Sequence, residues 1–135
     1  MFDSLGWQGV ISIGATANKD WNIDETGDVP TACSSDFLIS VTNTNNTDTK
    51  AYSGYGLTSI DLGAPGTQVF STRNNNQYGN KTGTSMAAPH VAGAIAYLFS
   101  AADSAFIVDY MNNLPEYALK IKQYILDGVD PIPSL

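Results

Sequence analysis

Apolar positions follow two rhythms along this chain. Short blocks of β-favouring residues, set between glycines and polar loops, fill its earlier part, and helical spacing takes over later. Met1, Phe2 and Leu5 share one helical face, with Gly6 placed as the cap that ends the helix. Val10–Ile13 reads as a short strand between Gly9 and Gly14, and Phe37–Thr42 as a second strand. Gln68–Thr72 alternates enough for a half-exposed strand. Lys19–Asp36, Asn43–Lys50 and Asn74–Asn76 are polar loops, and Gln77–Thr82 leads the chain on to Ser85. From Ser85 to Phe99 the residues are small or apolar on every side, which predicts a fully buried helix. Pro89 is expected in its first turn, where no N–H is required. Ser104 is expected to cap a short helix carrying Phe106, Ile107, Tyr110 and Met111. Asn113 and Pro115 open a last helix whose stripe is Leu114, Tyr117, Ala118, Ile121, Tyr124 and Ile125. Gly128 ends that helix, and Pro131 and Pro133 prevent its resumption. Helix, glycine turn and apolar strand in succession predict an α/β fold with a parallel sheet covered on both faces.

Composition narrows the partners. The 135 residues suffice for one modest domain, and 6 Lys and Arg against 13 Asp and Glu give a formal charge of −7. That balance argues against nucleic acid or an anionic membrane as partner. No apolar run reaches the ~18 residues of a membrane span, and no signal peptide opens the chain. Cys33 is the lone cysteine, which excludes an internal disulfide and points to a small buried or turn residue. With His90 the lone histidine, a Cys/His metal site is not expected. Asp20, Asp24, Glu25 and Asp28 lie close in sequence, and a solvated acidic loop is preferred over a calcium site because no EF-hand spacing is present.

The chemistry gathers at Ser85. A serine at the mouth of a helix is most often an N-cap. The same place also offers free N–H groups and a positive dipole end to a developing oxyanion. His90 is five residues further on, so helical geometry turns it away from Ser85, and a packed structural histidine is expected. Asn18 lies just past the first strand, at the sheet end where α/β proteins bind ligands, although an asparagine there is commonly a turn residue.

The string Gly83-Thr84-Ser85-Met86-Ala87-Ala88-Pro89-His90-Val91-Ala92-Gly93 resembles the nucleophile motif of the subtilisin-like serine peptidases. Ala15-Thr16-Ala17-Asn18 and Asp61-Leu62-Gly63-Ala64-Pro65-Gly66 resemble two further strings of that family, in its order. The likeness runs from Val10 to about Gly128 and covers only the family's carboxyl-terminal half. It implies one partial domain over 1–135, part of a three-layer parallel-sheet sandwich incomplete at the N-terminus. It implies peptide-bond hydrolysis through an acyl-enzyme on a peptide or protein substrate, with Ser85 as nucleophile, Asn18 as oxyanion donor and Thr84 supporting it. Ala15, Thr16 and Ala17 would wall the substrate pocket. Asp28 would lie at its base and favour a basic side chain. Val29–Pro30 would be joined by a cis bond. No cofactor is required by this chemistry, a structural calcium in the complete enzyme is allowed, and secretion is implied. The triad of subtilisin runs Asp, His, Ser along the chain. The Asp and His strings would therefore precede Met1, as the helical start of the chain also suggests, in a missing N-terminal half. The alternative is a catalytically silent binding or assembly module derived from such an enzyme.

Overall fold

Strand β2 (Leu38–Thr44) is buried at all seven of its positions, as a central strand covered on both faces must be. In the computed structural model, which describes residues 1–132, it pairs in parallel with β1 (Ser12–Ala15) on one side and β3 (Leu62–Pro65) on the other. Pro133 lies outside the described residues. Side chains alternate across β2. Ile39 and Val41 face a core that also holds Leu62, Ala64, Ala87 and Val91, with Ile125 and Leu126 packed against it. The core is thus closed by α3 (Thr84–Ala101), which lies across all three strands, and by α5 (Leu114–Asp127). On the opposite face Ser40 donates to the Thr31 carbonyl at 3.0 Å and Thr42 to the Gly54 carbonyl at 2.6 Å. That face is covered by the segment carrying the short α2 (Ile23–Thr26) and by the loop after β2. The result is an α/β fold built on a three-stranded parallel sheet.

Several boundaries differ from the sequence reading. Gly6 closes α1 (Phe2–Gly6) but is not in a cap conformation; it is buried, and an added Cβ would lie 2.0 Å from the Phe37 ring. The left-handed turn falls at Gly9, with φ of 85°, and the first strand starts two residues later than expected, at Ser12. Asp103, not Ser104, caps α4 (Ser104–Asn112), its carboxylate accepting from the Phe106 N–H at 2.7 Å. The Gln77–Thr82 segment is largely a strand, β5 (Gln77–Lys81), antiparallel to β4 (Val69–Arg73). The turn between them places Asn75 and Asn76 at positive φ, which asparagine tolerates better than most residues.

The largest departure concerns α3. Only Thr84, Ala87 and Val91 are buried along it, while Ala92, Gly93, Ala96 and Tyr97 are exposed. Composition that is apolar all round gives no preferred face, and the sheet covers one face only. Pro89 lies in the second turn because the helix begins at Thr84. Lacking an N–H, it cannot donate to the Ser85 carbonyl four residues back. Val29–Pro30 is cis, as expected. Among the described residues no single helix is long and apolar enough to cross a membrane.

Candidate active site

Gly83 sets the geometry from which Ser85 projects. Its φ of 155° and ψ of 164° suit glycine, and its N–H donates to the Gly66 carbonyl at 2.9 Å. Gly83 is the N-cap of α3, so Ser85 is the second helical residue and the N-cap reading of this serine fails. Ser85 is exposed, and its hydroxyl has no hydrogen-bond partner among the described residues. Of the amides that open the helix, the Thr84 N–H is taken by Asn18 and the Met86 N–H by the Gly83 carbonyl at 2.9 Å, while the Ser85 N–H has no partner among the described residues.

Asn18 is brought to the same place from 66 residues away in sequence through Thr84. The Thr84 N–H donates to Asn18 Oδ1 at 2.9 Å, and the Thr84 hydroxyl lies 3.2 Å from the same oxygen. A backbone N–H only donates, so the Asn18 amide is oriented without ambiguity: oxygen towards Thr84, NH₂ turned away from it. That hydroxyl also donates to the Thr16 carbonyl at 2.5 Å, which ties the end of β1 to the start of α3. Thr84 is 1 % exposed, so it acts behind the surface that Ser85 and Asn18 present.

The remaining expected residues lie nearby in different roles. Ala15 ends β1, and the Ala17 carbonyl accepts from the Gly54 N–H at 2.9 Å. Thr16 is buried, its hydroxyl 3.2 Å from Asp28 Oδ2, and Thr31 donates to that same oxygen at 2.7 Å. The Thr16 side chain is thus turned into the fold, while Asp28 keeps its Oδ1 without a partner among the described residues. The acids of the 19–36 loop do not converge. Asp20 is bridged by Lys50 at 2.5 Å, and Asp24 accepts from the Ser59 N–H at 2.9 Å and the Thr58 hydroxyl at 2.9 Å. Those bonds, from Ser59 first and then Thr58, hold the Asp24 carboxyl down at about 2. No three His, Cys, Asp or Glu side chains among the described residues are grouped to hold a metal ion. Cys33 is exposed in a turn.

His90 is exposed, against the expectation of a packed histidine. Its Nδ1 lies 2.8 Å from the Met86 carbonyl, and an acceptor there requires Nδ1 to carry the proton. It makes no hydrogen bond to Ser85, yet both residues line a groove of about 560 Å³ between α3 and the β4–β5 hairpin. Phe70, Lys81, Met86 and Pro89 complete much of its wall. Lys81 was not legible as part of this groove because the Gln77–Lys81 stretch carries no strand pattern, and Phe70 sits on a legible strand whose partner was missing from that pattern.

The profile of the Subtilase family fits residues 3–128. This chain belongs to the subtilase family. Subtilisin-like protease 2 of Plasmodium falciparum is 37% identical over 98 residues, which is 72% of this chain and 7% of that protein. An extracellular protease of Xanthomonas campestris is 37% identical over 106 residues, 73% of this chain and 17% of that relative. The major intracellular serine protease of Bacillus subtilis is 55% identical over 47 residues, 35% of this chain and 15% of that protein. The chain therefore spans a small part of the length of the relatives it matches.

Proposed function

We propose that this subtilase chain supplies the nucleophile and one oxyanion donor of a serine endopeptidase. Ser85 attacks the scissile carbonyl, and the Asn18 NH₂ together with the Ser85 N–H receives the oxyanion. Thr84 holds the Asn18 amide in register. Ala15, Ala17 and the backbone of Thr16 wall the substrate pocket, and the open Asp28 oxygen favours a basic side chain there. The observation that carries this reading is the pairing of an exposed first-turn serine with an asparagine whose amide oxygen is fixed by the Thr84 N–H at 2.9 Å. The proton of Ser85 must go to a base on another segment, because His90, the chain's only histidine, is directed to Met86. The 135-residue chain by itself is then silent. Its relatives include proteins named extracellular, and secretion of the parent protein is part of the proposal.

Fluorophosphonate labelling tests it. The chain alone should not be labelled, and adding a polypeptide with the family's Asp and His strings should produce labelling that Ser85→Ala abolishes. In that reconstituted enzyme Asn18→Ala should lower kcat by roughly 10²–10³, a magnitude established on subtilisin itself. Rapid labelling of the isolated chain that vanishes in Ser85→Ala would overturn the assignment of the base.

A further inference from the structure

The cations of this acidic chain are nearly all engaged. Lys50 bridges Asp20 at 2.5 Å, and Lys122 lies 3.3 Å from Asp61. Lys19 and Lys120 sit over the rings of Trp21 and Tyr117, at 4.4 and 4.6 Å from the ring centroids. Arg73 donates to the Asn80 carbonyl at 2.7 Å. Lys81 is the one cation whose side chain makes no hydrogen bond, ion pair or ring contact among the described residues, and it lines the groove that contains Ser85. No Asp or Glu lines that groove. A net charge of −7 makes an acid-free wall with an unpaired ammonium a local reversal of the molecule's field. Lys81 pairs across the hairpin with Val69, so its stem lies beside apolar surface while the ammonium stays available. Phe70, Met86 and Pro89 supply further apolar contact for a peptide in the same groove.

We propose that Lys81 is a specificity-determining residue, selecting peptides that place a carboxylate side chain in the groove beside Ser85. This rests on the reading of Ser85 as a peptidase nucleophile and names the substrate class that site prefers. At the usual strength of an exposed ion pair, a Glu-bearing peptide should bind about 1.4- to fivefold more tightly than its Gln counterpart. The chain's overall charge opposes such a preference, which makes the sign of the effect diagnostic.

The test uses the full chain carrying Ser85→Ala, so that no peptide is consumed. Dye-labelled ten-residue peptides of Ala, Ser and Phe carry one Glu or one Gln at each position in turn, and binding is read by fluorescence anisotropy at low and high salt. Glu should be preferred at one position in the peptide, with the preference falling as salt rises. Lys81→Gln should remove it, Lys81→Arg should keep it, and Lys81→Glu should reverse it. Lys120→Gln, which removes a distant charge, should leave the ratio as it was. Equal binding of Glu and Gln peptides, a preference that survives Lys81→Gln, or no peptide binding at all would overturn the proposal. Ser85 labelling does not depend on Lys81, so failure of the peptidase reading appears separately from failure of this one.

Discussion

At the scale of single residues, two small groups of hydrogen bonds decide what the site can do. Thr84 is the first. Its hydroxyl is buried and shared between the Thr16 carbonyl at 2.5 Å and Asn18 Oδ1 at 3.2 Å. Thr84→Val keeps the shape but leaves the Thr16 carbonyl without its donor, so it should cost about 1–3 kcal/mol in denaturant unfolding. The Thr84 N–H still holds Asn18, so kcat of the reconstituted enzyme should fall less than in Asn18→Ala. Asp24 is the second. Gly56 lets it reach the 58–59 turn, since a Cβ there would meet Asp24 Oδ1 at 2.6 Å. Its carboxyl is lowered from 3.8 to about 2 by bonds from Ser59 and Thr58. A depressed carboxyl contributes stability above its unfolded value, and that contribution is lost as pH falls from about 4 to about 2. Urea midpoints measured across that window should fall less steeply in Asp24→Asn than in the parent chain.

At the scale of elements, α5 is clamped to the sheet by one side chain. Lys122 donates to the Leu38 carbonyl at 2.5 Å and pairs with Asp61 at 3.3 Å, while the Ser40 N–H donates to the other Asp61 oxygen at 2.7 Å. Both partners are mostly shielded, so removing one leaves a charge with little compensation. Lys122→Met should destabilise the chain by about 1–3 kcal/mol, and adding Asp61→Asn should recover part of the loss. Chemical denaturation of the two variants checks both signs. The hairpin β4–β5 makes the opposite case. It stands on the stacked pair Phe70–Tyr78, 6.0 Å apart, with both rings largely exposed. Its strand β5 was illegible in sequence because Gln77, Gly79, Asn80 and Lys81 carry no apolar alternation. The paired strand, not the sequence pattern, holds it extended.

At the scale of the whole molecule, two surfaces are left apolar or unpaired. Strand β1 has a partner on one side only among the described residues, and α3 presents Ala92, Gly93, Ala96 and Tyr97 to solvent. Tyr97 is 76% exposed, and an open strand edge beside such a face promotes association. The chain alone should therefore self-associate, with a sedimentation coefficient that rises with concentration, and Tyr97→Glu with Ala96→Lys should shift it towards monomer. A concentration-independent monomer in the parent chain would sink this expectation. What the sequence determined by itself is local chemistry and order: the Gly83–Gly93 string, Asn18 after a strand, the stripe of α5 and the α/β succession. These are legible because helical spacing, capping residues and a mixed motif each act over a few neighbouring residues. Only the tertiary structure decided which face of α3 is buried, since a helix apolar on all sides carries no signal for it. It alone placed Asn18 Oδ1 against Thr84, exposed His90, and brought Lys81 to the groove of Ser85. Those outcomes depend on partners far apart in the chain, and no local pattern encodes the choice among them.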